Sequence, residues 1–171
     1  MTGAELRERQ APLKAKYKDD PKAAQIVLTA RATLAQDTVS AIVDTASAPS
    51  GRMVAGLHPA TGGDGSQACS GDMLLQALVG CAGVTMRAVT AAMGLNVQGS
   101  VLAEGDIDFR GTLGVSKEVP VGFSAMRLRF ELASDATDEQ IAKLVQLTER
   151  YCVVLQTLRG ALTVTSTTTR R

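Results

Sequence analysis

The pattern of apolar and polar positions centres on one stretch, Ser70 to Gly94, SGDMLLQALVGCAGVTMRAVTAAMG. Gly71 to Met93 holds no Pro, so the pattern predicts a single long helix, and Gly94 stands where a helix-ending glycine is expected. Ser70 is expected to cap its start, and Asp72 in the first turn suits the positive end of the helix dipole. Between Asp72 and Arg87 only Gln76 and Thr85 are clearly polar. A surface helix has one apolar stripe, so this one is expected to be buried on most sides. Its apolar run is read as too short for a membrane span, which needs roughly 20 apolar residues. Cys81 lies in the middle of it.

Around this helix the period changes to two. Gln25 to Leu34 and Thr38 to Thr45 are rich in β-branched residues, and the three residues between them, Ala35, Gln36 and Asp37, predict a hairpin. The following segment is rich in Gly and Pro and reads as a loop, with room for a short strand at Met53 to Leu57. Its glycine spacing matches neither a Walker loop nor a dinucleotide fingerprint. After the long helix, Val97, Val101, Ala103, Ile107 and Phe109 alternate with Gln98, Ser100, Glu104, Asp106, Asp108 and Arg110, with Leu102 the exception. Met126, Leu128, Phe130 and Leu132 alternate with Arg127, Arg129 and Glu131. These are two half-buried strands of an antiparallel sheet with one wet face.

Thr137 with Gln140 forms a capping-box pattern that opens a second long helix to Arg159, closed by Gly160. Its apolar stripe runs Ile141, Leu144, Val145, Thr148, Tyr151, Cys152, Leu155, Leu158, which places Cys152 toward the core. A last strand is expected at Leu162 to Ser166. Two long helices on antiparallel sheets make an α+β fold. Residues 1–24 read as a polar N-terminal arm and 25–171 as one α+β domain. Pro12 is expected to break any helix spanning the arm, which either lies solvated on the surface or wraps a partner subunit.

Composition narrows the function. With 18 Lys+Arg against 17 Asp+Glu, nothing electrostatic favours nucleic acid or an acidic membrane surface. Aromatic residues are 3% with no Trp, so stacking platforms for single-stranded nucleic acid are missing. The polar start of the chain is unlike a signal peptide, and three cysteines then point to a reducing compartment, the cytoplasm. His58 is the single histidine, which leaves a Ser-His-Asp triad poorly supported, and the cysteines lack zinc-site spacing, so no metal or bound cofactor is expected.

Chemistry therefore falls to the thiols. Free cysteine often does no more than fill core space. If Cys81 and Cys152 meet across packed helices, the natural chemistry is a reactive thiol with a resolving thiol. A mid-helix thiol among apolar groups is hard to ionise, so an imported cation is expected, from Arg31, Arg52 or Arg87. At about 100° per residue Arg87 lies roughly 120° round the helix from Cys81 and is the least suited. Cys69, at the helix start, is expected to be incidental.

The segment GGDGSQACSGDMLLQALVGCAG resembles the glycine-rich loop and central helix of the OsmC/Ohr family, and LTERYCVVLQTLRG resembles that family's second cysteine helix. The likeness covers roughly residues 25 to 168. It implies an OsmC-like α+β fold in an intertwined homodimer, with active sites at the subunit interface. The implied activity is thiol-dependent reduction of organic hydroperoxides, without cofactor and with an external dithiol as electron donor. By match of motif Cys81 takes the peroxide-attacking position, Cys152 the resolving position, and Asp72 the place of an acid that holds the activating Arg. Val153 stands where the family usually has Pro, and the turn at Ala35 to Asp37 lacks the family's Arg. The apolar side chains Met73, Leu74, Leu78, Val84 and Met86 are expected to favour a greasy hydroperoxide. Two alternatives stay open: a non-catalytic module of this fold that binds an apolar small molecule, and a redox sensor.

Overall fold

Alternation along two strands builds the sheet on which the helices rest. In the computed structural model, which describes residues 2–27, 30–34, 40–45 and 52–170, the strands β5 (Val97–Ile107) and β6 (Phe123–Ser134) pair antiparallel along their length. Val101 lies opposite Phe130 and Ala103 opposite Leu128, so one face is apolar. The other face carries an ionic ladder in which Arg127 Nη2 donates to Asp106 at 2.7 Å and Arg129 Nη2 approaches Glu104 at 3.5 Å. These pairs are exposed, so they mark the wet face and contribute little to stability.

A second sheet is built from β1 (Ala30–Leu34), β2 (Ser40–Thr45), β3 (Arg52–Gly56) and the two-residue β4 (Ala68–Cys69). The order is β1-β2-β3-β4, antiparallel except for the parallel β3–β4 step. The hairpin turn at Ala35 to Asp37 lies outside the described residues, as do the side chains of Arg31 and Arg52. The first strand is shorter than the sequence predicts: Gln25, Ile26 and Val27 have no strand structure, and the last two are 70% and 86% exposed.

The central helix α2 (Ser70–Met93) starts one residue earlier than expected, with Cys69 rather than Ser70 as N-cap, and ends at Gly94 with φ 69°. That left-handed conformation is the one glycine adopts without strain. Its 24 residues span about 36 Å. By length and composition alone this helix would suffice to cross a membrane, contrary to the expectation from sequence. Here one face, Leu78, Ala82, Met86 and Thr90, is buried. On the opposite face Gly3 approaches Ala91, but Val84 stays 73% exposed, so burial on most sides is not achieved among the described residues.

Two buried clusters hold the elements together. Leu78, Ala82, Cys152 and Leu155 pack with Cys81, Val101, Ala103, Leu128, Phe130 and Val154. Met86, Val97 and Leu144 pack with Val89, Ile141, Val145 and again Phe130. Phe130 thus joins both clusters from the sheet side.

The remaining elements are α1 (Gly3–Asp19), the short turn α3 (Phe109–Thr112), α4 (Asp138–Tyr151) and α5 (Val153–Arg159). Helix α1 runs through Pro12. The break expected there does not occur because a Thr2–Glu5 capping box starts the helix. The carbonyl that Pro12 leaves unbonded belongs to exposed Glu8, so it is open to solvent rather than stranded in a core. Phe109, expected at the end of a strand, instead begins α3, whose N-cap is Asp108. The strand expected at Leu162 to Ser166 is also absent, with Leu162 67% and Val164 83% exposed. A strand needs an edge to pair with, and among the described residues none receives this segment.

Candidate active site

The second long helix is not continuous. The capping box of Thr137 and Gln140 opens α4 as expected, with Gln140 N–H donating to Thr137 Oγ1 at 3.2 Å and Thr137 N–H to Gln140 Oε1 at 2.9 Å. At Cys152 the chain leaves the helical region (φ −73°, ψ 105°) and then re-enters it as α5. Cys152 is therefore the C-cap of one helix and the N-cap of the next. Its N–H donates to Thr148 O at 3.0 Å, and its carbonyl accepts from Gln156 N–H at 2.9 Å. Two side-chain contacts staple the break: Gln156 Nε2 donates to Glu149 O at 2.8 Å, and Arg159 Nη1 reaches Glu149 Oε2 at 3.0 Å. The kink turns Tyr151 outward, 58% exposed, although the expected stripe put it inside.

A helix start leaves its first backbone N–H groups without intrahelical acceptors. Here those groups meet the two thiols. Cys152 is fully buried and packs beside Cys81, which projects from the middle of α2. Burial pushes the Cys81 thiol up, but four hydrogen-bond donors outweigh it: the Val154 N–H, the Cys152 thiol, the Val153 N–H and the Thr85 hydroxyl. Together they hold Cys81 below the ordinary thiol value. Cys152 moves the opposite way. Its burial raises it, donation to Cys81 and the charge that forms there raise it further, and the Leu155 and Val154 N–H groups only partly offset this. The pair is thus polarised, with Cys81 below and Cys152 above the ordinary thiol value.

A mid-helix thiol gains nothing from its own helix terminus, but Cys81 lies beside the start of a different helix, while the side chains of Arg31 and Arg52, the expected sources of a cation, lie outside the described residues. Thr85 was legible as a neighbour, since i and i+4 share a helix face. The donors of Val153 and Val154 were not, because no Pro or Gly marks the break.

The other candidates are placed as follows. Asp72 lies in the first turn of α2 and is exposed. Arg87 Nη1 donates to Val97 O at 3.0 Å, which ties it to the start of β5. Cys69 is half-buried beside Gly71 and Phe123. His58 accepts from Ala60 N–H through Nδ1 at 3.0 Å and stacks on Phe109. Among the described residues no group of three His, Cys, Asp or Glu is gathered as a metal site.

An open cavity of about 570 Å³ is lined by Leu74, Leu78, Met126, Leu128, Leu155 and Leu158, with Arg127, Glu149 and Arg159 among its polar groups; neither thiol lines it. Leu78, Leu128 and Leu155 belong both to this cavity and to the cluster around Cys152. Of the expected apolar lining, Leu74 and Leu78 are present, whereas Met86 is buried in the other cluster and Val84 faces outward.

No curated protein sequence matches the chain. Solved structures do. An OsmC-like protein from Mycoplasma pneumoniae superposes with a TM-score of 0.64 at 17% identity, covering 80% of this chain and 89% of that one. An organic hydroperoxide resistance protein from Elizabethkingia anophelis gives 0.59 at 14% identity, covering 80% and 90%. One from Legionella pneumophila gives 0.56 at 15% identity, covering 79% and 90%. At such identities the likeness concerns the fold. The sequence itself matches the family model described as OsmC-like protein over residues 63–167, which span α2, the β5–β6 sheet and both thiols. The chain belongs to the OsmC-like protein family and has its α+β fold.

Proposed function

We propose that this chain is a thiol-dependent peroxidase that reduces organic hydroperoxides, with Cys81 attacking and Cys152 resolving. The observation that carries the reading is the opposite polarisation of two cysteines that lie far apart in sequence and meet in one buried cluster. The Cys81 thiolate attacks the distal oxygen of the hydroperoxide. A sulfur–oxygen bond forms, the oxygen–oxygen bond breaks, and the alkoxide leaves and takes a proton from water. Cys152 then attacks the sulfenic acid, forming the disulfide and releasing water. An external dithiol restores both thiols by two exchange steps.

The leucines Leu74, Leu78, Leu128, Leu155 and Leu158 that line the cavity offer contact to the organic part of a hydroperoxide, with Arg127, Glu149 and Arg159 as polar groups in the same lining. Proteins of similar fold from Elizabethkingia anophelis and Legionella pneumophila bear the name organic hydroperoxide resistance protein, which supports the same chemistry. In this reading Asp72 holds a guanidinium, from Arg31 or Arg52, against the site. The functional unit is a homodimer: the uncovered face of α2 at Val84 and the unpaired segment at Leu162 and Val164 are the apolar surfaces a second copy would cover. The reading needs no bound cofactor, metal, nucleic acid or membrane, and a reducing compartment such as the cytoplasm suits it.

The test is consumption of an alkyl hydroperoxide by the pure protein with a dithiol, compared with Cys81→Ser. Turnover by the wild type and none by the variant is expected. Equal consumption by both removes the enzyme reading and leaves a binding module of this fold.

A further inference from the structure

Two buried hydroxyls have no hydrogen-bond partner among the described residues, those of Thr90 and Thr148. Thr148 is fully buried on α4. Thr90 is 2% exposed and forms part of the wall of a cavity of about 350 Å³ between α2 and β5. Gly80 and Gly83 leave room on the helix side, since a Cβ on either would meet nothing within 4 Å. Val79, Met86, Val97 and Leu132 make the walls mostly apolar. The polar side chains in the lining are Arg87, Thr90, Gln98 and Ser100, with no carboxylate among them, and neither thiol belongs to it.

Arg87 sets the charge of this cavity. Its Nη1 donates to Val97 O at 3.0 Å, which holds the guanidinium at the start of β5. A guanidinium keeps its proton and carries five N–H donors in a planar fork, so donors remain after that bond. Arg110, Arg127, Arg129 and Arg159 each reach a carboxylate, whereas among the described residues none pairs with Arg87. Arg87 and Thr90 are three residues apart on α2 and so share a face of the helix. One uncompensated cation, one buried hydroxyl with an unused bond and apolar walls fit a molecule with an anionic end and a hydrocarbon body. The volume is at the small end for a ligand pocket, so that body is short.

We propose that this cavity is a second ligand site, separate from the thiols, for a medium-chain apolar monocarboxylate. Arg87 holds the carboxylate in its fork, and the Thr90 hydroxyl donates to it. The site does not depend on the peroxidase reading.

The experiment titrates octanoate, below its micellar range, into the pure intact chain in a calorimeter, with 1-octanol as the uncharged counterpart. Saturable binding of octanoate is expected, with 1-octanol weaker by about tenfold or more. Arg87→Gln and Thr90→Val should each weaken octanoate by about tenfold, and Thr90→Ser should bind as wild type does. Without ligand, Thr90→Val should unfold in urea no earlier than wild type, because it removes an unpaired buried hydroxyl. Its lost affinity is then not a loss of fold. If Arg87→Gln does not fold by circular dichroism, the Thr90 variants and 1-octanol decide. The proposal is overturned by no saturable octanoate binding, by 1-octanol binding as tightly, or by wild-type affinity in a folded Arg87→Gln or in Thr90→Val. It is also overturned if Arg159→Gln abolishes binding and Arg87→Gln does not, which puts the probe in the leucine-lined cavity. Affinity that falls as protein concentration rises would show that a second copy covers the site, and overturns it too.

Discussion

Leu78→Ala perturbs the packing around the thiols while leaving both cysteines in place. Leu78 is 1% exposed and packs with Ala82, Cys152 and Leu155. The change removes three carbons, worth about 2.4 kcal/mol at ~0.8 kcal/mol per buried methylene. Surrounding helices relax only in part, so a residual cavity adds about 1 kcal/mol. The expected loss is about 3 to 4 kcal/mol, which in a chain of this length lowers Tm by roughly 7–14 °C. Leu74→Ala is the internal control: it lies one turn earlier on α2 but is already 37% exposed, so it should cost about 1 kcal/mol. The assay is urea unfolding followed by circular dichroism, at two protein concentrations so that any association is visible. The Leu78 cavity also loosens the seating of α5 against α2, so Cys81 should lose part of its reactivity toward iodoacetamide near neutral pH. A Leu78→Ala cost below about 1 kcal/mol, or one equal to that of Leu74→Ala, would contradict the packing described around the thiols.

Other outcomes can be checked with the same protein. Thr137→Ala removes the capping box of α4 and should cost about 1 kcal/mol in urea unfolding. Thr148→Val should be neutral or stabilising by up to about 1 kcal/mol, because the Thr148 hydroxyl is fully buried without a hydrogen-bond partner among the described residues. Cys81 ionises more easily in the folded chain than in the unfolded one, so its contribution to stability is present above the ordinary thiol pKa and lost as pH falls through the lower folded value. Cys81→Ser should therefore lose stability relative to wild type as pH is raised across that window, read from urea midpoints; a pH-independent difference would contradict the assignment. Alkylation of Cys81 should begin at lower pH than that of Cys152, which keeps its proton to higher pH.

The sequence made the architecture legible where local signals and burial agree. The alternation in β5 and β6, the capping box at Thr137 and the glycine at 94 all specify what is seen. It was less informative where the outcome depends on partners. The alternating sequence Leu162 to Ser166 has strand character but finds no edge to join among the described residues. Val84 lies on an apolar face of α2 and stays 73% exposed among the described residues. Pro12 shows the opposite case, a local breaker overridden on an exposed helix with a good start. The break at Cys152 was hidden because the apolar stripe runs through it with no Gly or Pro to mark it. That kink converts continuous helix into a new helix start whose backbone N–H groups help hold the Cys81 thiol below its ordinary value.

The central claim concerns which sulfurs react with one another. Treating the pure, reduced protein with one equivalent of an alkyl hydroperoxide and mapping disulfides by mass spectrometry tests it directly. The account predicts a Cys81–Cys152 disulfide with Cys69 still a thiol. Both cysteines recovered reduced, or oxidation confined to Cys69, would contradict it.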